Sequence, residues 1–168
     1  MCPKRNPPAL LGGGVPSKPG ENASGTRIKV KSFAGSDGSK QFVGFYDSER
    51  QEDCSYSYAS DGKLRCLPPA SGVSLYADAN CSIPVLNVPP GSCSALASYV
   101  TVTTPGADAC SVGASRLFRR GSAFTPSGTV YWKVPSYSAY PATSSFIYYS
   151  MAEEVAPSSF VDAMPVTE

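Results

Sequence analysis

Four acidic side chains lie close together in the sequence and could do chemistry: Asp47, Glu49, Glu52 and Asp53. Two carboxylates about 5 to 9.5 Å apart can hydrolyse a glycoside, and carboxylate oxygens also bind Ca²⁺. The spacing of these four matches no EF-hand loop. Because runs of charged residues usually face water, we expect a solvated loop here, with no catalytic residue and no metal site.

The chain has no histidine, which narrows the reactions that it could catalyse. Histidine is the usual general base near neutral pH. Its absence excludes Ser-His-Asp and Cys-His sites and every zinc site that needs an imidazole. The net charge of +1 gives no field that would attract nucleic acid. We expect no cofactor and favour a non-catalytic protein, with a carboxylate-dependent polysaccharide hydrolase as the alternative.

Aromatic side chains concentrate late in the sequence and form a candidate binding surface. Exposed rings can bind the faces of sugars or anchor a protein partner, so polysaccharide and envelope proteins are the candidate partners. Because neighbours on a strand point to opposite faces, core and cross-strand packing is the alternative role. The candidate surface consists of Tyr131, Trp132, Tyr137 and Tyr140, followed in the sequence by further aromatic residues at Phe146, Tyr148 and Tyr149.

Two pairs of cysteines have equal spacing, Cys54 with Cys66 and Cys81 with Cys93. The first pair brackets Asp61-Gly62, which supplies the positive φ of a tight hairpin turn. We predict disulfides Cys54–Cys66 and Cys81–Cys93, each stabilising the fold by roughly 3 kcal/mol on the chain-entropy model. Other connectivities stay open, because sequence alone does not fix them. No C-x-x-C pair indicates a metal site.

Two cysteines are left over, Cys110 and Cys2. Cys110 is either a buried thiol or pairs with a partner that the spacing does not reveal. Cys2 is a candidate lipidation site, because processed bacterial lipoproteins begin with an acylated cysteine and a tether. In that case Met1 replaces a removed export signal, and the membrane is contacted only through the lipid. The alternative is a chance cysteine beside the first residue.

The chain divides into a tether and one domain. Residues 1–25 are rich in Pro and Gly and have no hydrophobic periodicity, which predicts a disordered tether. Residues 26–168 are predicted to form a single β-domain, because short alternating or aromatic-rich runs are separated throughout by Gly and Pro. Strands are expected near 27–31, 42–46, 54–58, 63–67, 73–76, 83–88, 97–103, 115–119, 129–134 and 145–151.

The spacing of these strands predicts the fold class. We expect an all-β domain in which disulfide-stapled hairpins form a small sandwich or barrel, or alternatively a small propeller-like repeat of hairpins. The clearest hairpin joins 54–58 to 63–67 across Asp61-Gly62. A single helical turn is expected around 158–160.

Five segments combine cysteines, turns and aromatic residues: 41–47 (QFVGFYD), 52–54 (EDC), 61–68 (DGKLRCLP), 76–81 (YADANC) and 154–161 (EVAPSSFV). Together they resemble uncharacterised secreted proteins and lipoproteins of myxobacteria, over most of the chain after Arg27. The resemblance implies a secreted or cell-surface location and carries no activity to any residue. The missing histidine, the paired cysteines and the tether favour a binding or scaffolding role, with a structural assembly component as a further alternative.

Overall fold

The fold is known from a computed structural model, which describes residues 23–73, 75–91, 96–103, 115–132, 138–143 and 145–165. Within these ranges the regular structure is β-strand apart from one 3-10 turn, which confirms the all-β prediction. No helix in the described part of the chain is long and apolar enough to span a membrane. Most of the predicted tether, together with Cys2, Cys93, Cys110 and Tyr137, lies outside the described residues.

The described residues form thirteen strands and the 3-10 turn Pro157–Ser159. The strands are β1 (Ile28–Ala34), β2 (Lys40–Asp47), β3 (Glu52–Tyr58), β4 (Leu64–Leu67), β5 (Ala70–Gly72), β6 (Leu75–Tyr76), β7 (Pro84–Val88), β8 (Tyr99–Thr103), β9 (Ser115–Phe124), β10 (Thr129–Trp132), β11 (Ser138–Pro141), β12 (Ile147–Glu154) and β13 (Asp162–Ala163).

The strands form two curled half-barrel sheets. The first has five strands in the order β1-β2-β3-β4-β13, and the second has eight in the order β11-β10-β6-β7-β12-β9-β8-β5. All pairs are antiparallel except β5 with β8. The barrel-like alternative therefore describes the architecture better than the propeller.

Two N-terminal hairpins are present, and the second of them is the predicted hairpin across Asp61-Gly62. β1 pairs with β2, and β3 pairs with β4. The turns between them contain Gly38 at φ 85° and Gly62 at φ 74°, a conformation that glycine adopts without a steric penalty. The predicted Cys54–Cys66 disulfide links β3 to β4, with the two Cα atoms 5.2 Å apart.

Three short strands, β5, β11 and β13, were not predicted, and β9 extends beyond its predicted end. β5 and β13 are three and two residues long and carry no alternation that could reveal them. They form because a partner strand offers its edge, β8 for β5 and β4 for β13. Pairing with a distant strand of this kind cannot be predicted from the local residue pattern.

The two sheets are joined by polar and aromatic contacts around Tyr99 of β8. The Tyr99 hydroxyl accepts a hydrogen bond from Arg50 at 2.8 Å and lies 3.1 Å from Glu52 of β3. The Arg50 guanidinium also lies 4.5 Å from the ring centre of Phe160. Phe160 is buried against Tyr99 and Leu117. The C-terminal segment therefore packs where the two sheets contact each other.

Candidate functional site

An open cleft of about 390 Å³ lies on one face of the eight-stranded sheet, and we call it the aromatic cleft. Strands β6, β7, β10, β11 and β12 contribute its walls together with the loop before β12. The volume falls within the roughly 300–1,000 Å³ typical of small-ligand sites. The side chains that shape it include Leu75, Asn87, Val130, Trp132, Tyr140, Phe146 and Tyr148.

Strand register brings these side chains onto one face. Val130 and Trp132 are two residues apart on β10 and therefore point the same way. Tyr140 of β11 lies opposite Val130, and Leu75 of β6 lies opposite Trp132. Tyr131 stands between the first two on β10 and faces the other side of the sheet.

The floor of the cleft is packed. Leu75, Val130 and Tyr148 are buried and belong to one hydrophobic cluster. The Tyr148 hydroxyl accepts a hydrogen bond from the backbone N–H of Thr143 at 3.3 Å, which satisfies its polar end. The ring of Phe146 meets that of Tyr148 edge-on, with the centres 6.4 Å apart. A floor held in this way keeps its shape when a ligand binds.

The rim of the cleft presents aromatic rings to solvent. Trp132, Tyr140 and Phe146 are between 37% and 51% exposed, whereas most rings of this size are largely buried. The indole N–H of Trp132 and the hydroxyl of Tyr140 give the rim polar edges.

Asn87 provides an amide inside the cleft. It lies opposite Tyr148 in the pairing of β7 with β12 and is half-buried. Its side chain makes no hydrogen bond with any residue that the structure describes. The described residues that line the cleft carry no carboxylate, ammonium or guanidinium group. The cleft can therefore hold an apolar face and hydrogen-bond a neutral polar group, but it offers no acid or base.

The acidic cluster forms ion pairs instead of a site. Asp47 is 1% exposed and receives two hydrogen bonds from Arg27, at 2.9 and 2.7 Å. It also accepts the backbone N–H groups of Glu49 and Arg50. Burial tends to raise the pKa of Asp47, but these hydrogen bonds outweigh it and hold the pKa below the usual value of 3.8. The expected solvated loop was thus wrong for Asp47, because Arg27 makes its burial favourable.

The other three acids have cationic partners too. Glu49 pairs with Arg27 at 2.9 Å, Glu52 with Arg50 at 2.5 Å, and Asp53 with Lys31 at 2.6 Å. No group of three or more His, Cys, Asp or Glu side chains in the described ranges could hold a metal ion. Glu52 and Asp53 also line a cleft of about 270 Å³ next to Tyr99, but each acid of the cluster is paired with a cation.

One comparison with known proteins gives a match. The model of a family of unknown function, DUF7481, matches residues 15–160. This chain belongs to the DUF7481 family. No curated protein and no solved structure matches it. The match agrees with the resemblance to an uncharacterised family, and it assigns no activity.

The second predicted disulfide of this DUF7481 chain is not seen at Cys81, whose half-buried thiol is free. The predicted partner, Cys93, lies outside the described residues. The two equally spaced pairs occupy different positions in the fold. Cys54 and Cys66 flank a hairpin loop, whereas Cys81 lies inside the loop between β6 and β7 at φ 52°.

The aromatic prediction for the DUF7481 chain agrees with the cleft only in part. Trp132 and Tyr140 lie at its rim, Tyr131 lies on the opposite face, and Tyr137 is outside the described residues. Asn87 and Leu75 also line the aromatic cleft, but they were not predicted as site residues. Both come from strands far earlier in the chain, and only the order β10-β6-β7-β12 in the sheet brings them to Trp132.

Proposed function

We propose that this DUF7481 chain is a non-catalytic binding domain of the cell envelope or extracellular space, and that its aromatic cleft binds a neutral sugar. One observation carries the proposal. Three exposed rings, Trp132, Tyr140 and Phe146, surround a concave floor beside the amide of Asn87, which makes no hydrogen bond with any described residue.

The chemistry of the cleft suits a sugar ring. One face of many sugar rings is lined by C–H groups, which pack against aromatic faces, while the hydroxyls at the edge need hydrogen-bond partners. Trp132 and Tyr140 supply faces for such a ring, and Asn87 supplies both a donor and an acceptor within the same cleft. The Asn87 amide is half-buried and can exchange its hydrogen bonds with water for hydrogen bonds with such a ligand.

The proposed location depends on the disulfide. Cys54 and Cys66 form a bridge in which Cys66 is fully buried. Disulfides persist mainly in oxidising compartments such as the periplasm and the cell exterior. We propose that the protein is secreted or is an envelope lipoprotein acylated at Cys2, as its resemblance to secreted myxobacterial proteins implies.

The hydrolase alternative receives no support from the acidic residues. A glycosidase needs a carboxylic acid with a raised pKa near a second carboxylate. Asp47 has a lowered pKa, and all four acids of the cluster are held by Arg27, Arg50 or Lys31.

The test is a glycan array followed by titration calorimetry with the full chain and with Trp132→Ala. We expect the array to report neutral glycans and Trp132→Ala to weaken binding by about thirtyfold, as loss of an aromatic ring that stacks on the ligand costs about 2 kcal/mol.

The matched control is Phe33→Ala, which removes a 63% exposed ring from β1 of the other sheet and should leave binding unchanged. An array on which no neutral glycan binds, or glycan binding that survives Trp132→Ala intact, would overturn the proposal. Capture of an envelope protein through Trp132 in place of glycans would also overturn it.

A further inference from the structure

A second cleft adjoins the aromatic cleft, and we call it the second lobe. Its volume is about 500 Å³, and Thr125, Gly128 and Ile147 are among the residues that line it alone. Thr143, Phe146 and Tyr148 line both clefts. The two clefts are therefore adjacent and share these three residues.

The residues between the lobes are held in place by packing and hydrogen bonds. Tyr148 is buried and lies opposite Phe124 in the pairing of β12 with β9. Its hydroxyl accepts the N–H of Thr143. The N–H of Ala142, one residue earlier, donates to the carbonyl of Gly128 at 2.8 Å. The boundary between the lobes is thus formed by Tyr148 of β12 and by Thr143 and Phe146 before that strand, and its shape does not depend on a ligand.

The second lobe has the same chemical character as the aromatic cleft. Phe124 and Ile147 provide apolar surface, and Thr125 and Thr143 provide hydroxyls. No described residue that lines either lobe has an ionisable side chain with a charge at neutral pH. A charged ligand would lose its hydration here without gaining a counter-charge. The lining therefore selects a neutral ligand along its whole length.

We propose that the two lobes are two subsites for one neutral oligosaccharide chain, with at least one sugar unit in each lobe. This inference rests on the proposed sugar-binding function and names its ligand class as a chain, not a single sugar. Each lobe alone has a volume within the range of a small-ligand site, roughly 300–1,000 Å³. A single sugar unit would leave one of them empty.

Chain length should then control affinity. Once the first unit is bound in the aromatic cleft, binding of the next unit in the second lobe is intramolecular and occurs at a high effective concentration. We expect affinity to rise by roughly tenfold or more between one unit and the length that fills both lobes, and to level off beyond it.

The experiment titrates the full chain with neutral homo-oligomers of glucose, mannose and galactose, in series from the monosaccharide upwards. Three variants are compared with the wild type by calorimetry. Ile147→Ala alters only the second lobe, Trp132→Ala alters only the aromatic cleft, and Ile83→Ala removes an exposed isoleucine that lines neither lobe as the matched control.

The expected result is a difference between short and long ligands. Ile147→Ala should leave monosaccharide affinity unchanged and reduce the gain from chain length several-fold, whereas Trp132→Ala should weaken every ligand. NMR titration adds a direct readout, because only ligands longer than one unit should shift both the Trp132 indole and the Ile147 methyl signals.

Two failures are distinguishable. Binding that depends on Trp132 but not on chain length, or a gain with length that Ile147→Ala does not reduce, overturns the two-subsite inference and leaves the sugar-binding function standing. No binding that depends on Trp132 for any member of the three series overturns the inference together with the function on which it rests.

Discussion

Asp47 shows how a single charged residue can be buried at the heart of a small β-fold. Its carboxylate is closed on every side by Arg27 and by two backbone N–H groups. Arg27 in turn donates to the carbonyl of Ser159 at 2.9 Å, so the pair also holds the C-terminal segment. The sequence revealed a cluster of acids, but it gave no sign that one of them would be enclosed by a partner twenty residues away.

The buried ion pair predicts how stability depends on pH. Because the folded-state pKa of Asp47 lies below the usual 3.8, the ionised carboxylate stabilises the fold at every pH above the unfolded value. That stabilisation is lost as the pH falls from about 4 through the folded-state pKa. Urea unfolding of the wild type between about pH 7 and about pH 2 should show this loss, and Asp47→Asn should flatten the acid limb of the curve.

At neutral pH Asp47→Asn should cost about 2 to 4 kcal/mol, because it leaves Arg27 without its buried partner. Asp53→Asn is the matched control, since the pair of Asp53 with Lys31 is exposed and should change stability by less than about 1 kcal/mol. Equal effects of the two substitutions, or an unchanged acid limb in Asp47→Asn, would contradict the role given to Asp47.

At the scale of the elements, β9 and β12 must approach closely for the eight-stranded sheet to form. The pairing between them is irregular between Tyr149 and Met151, where Gly121 of β9 meets Ser150 of β12. A Cβ atom on Gly121 would lie 2.9 Å from the Ser150 carbonyl oxygen, closer than real Cβ contacts permit. The two strands can approach this closely because glycine has no side chain.

Gly121→Ala should therefore destabilise the domain by about 1 to 3 kcal/mol, since the β12 backbone has to move. Chemical unfolding measures the effect. The matched control is Gly44→Ala in β2, where an added Cβ meets nothing within 4 Å and stability should stay the same or rise slightly. Gly121→Ala with wild-type stability would show that β9 and β12 are not packed as closely as described.

The same scale explains how far the elements could be predicted. The hairpins around Gly38 and Gly62 follow from turn residues next to alternating strands, and these are local signals. Strands β5, β11 and β13 exist because β8, β10 and β4 offer them an edge. A short segment of sequence does not show which distant strand will pair with it. Strands that depend on such pairing could therefore not be predicted.

At the scale of the whole molecule, the candidate binding site and two of the stabilising contacts lie in different sheets. The eight-stranded sheet carries the aromatic cleft, and the five-stranded sheet carries the disulfide and the buried ion pair. The cleft needs Trp132 beside Leu75 and Asn87, which lie more than forty residues earlier in the chain. The aromatic residues in the sequence therefore suggest a candidate binding surface. The shape of the cleft, and the presence of the Asn87 amide in it, follow only from the order of the strands in the sheet.

The disulfide gives the last prediction, which concerns the stability of the molecule as a whole. Cys54 and Cys66 belong to the cluster that packs β1, β3 and β4 together, and their bond closes a loop of twelve residues. Replacing both by alanine should cost roughly 3 kcal/mol, because the unfolded chain regains the freedom that the bond removed.

Cys81→Ala is the matched control and should change stability little, since its thiol is free. Urea unfolding under non-reducing conditions tests both. A loss of several kcal/mol from Cys81→Ala would mean that Cys81 is bridged, and wild-type stability of the double variant would mean that the fold does not depend on an oxidising compartment.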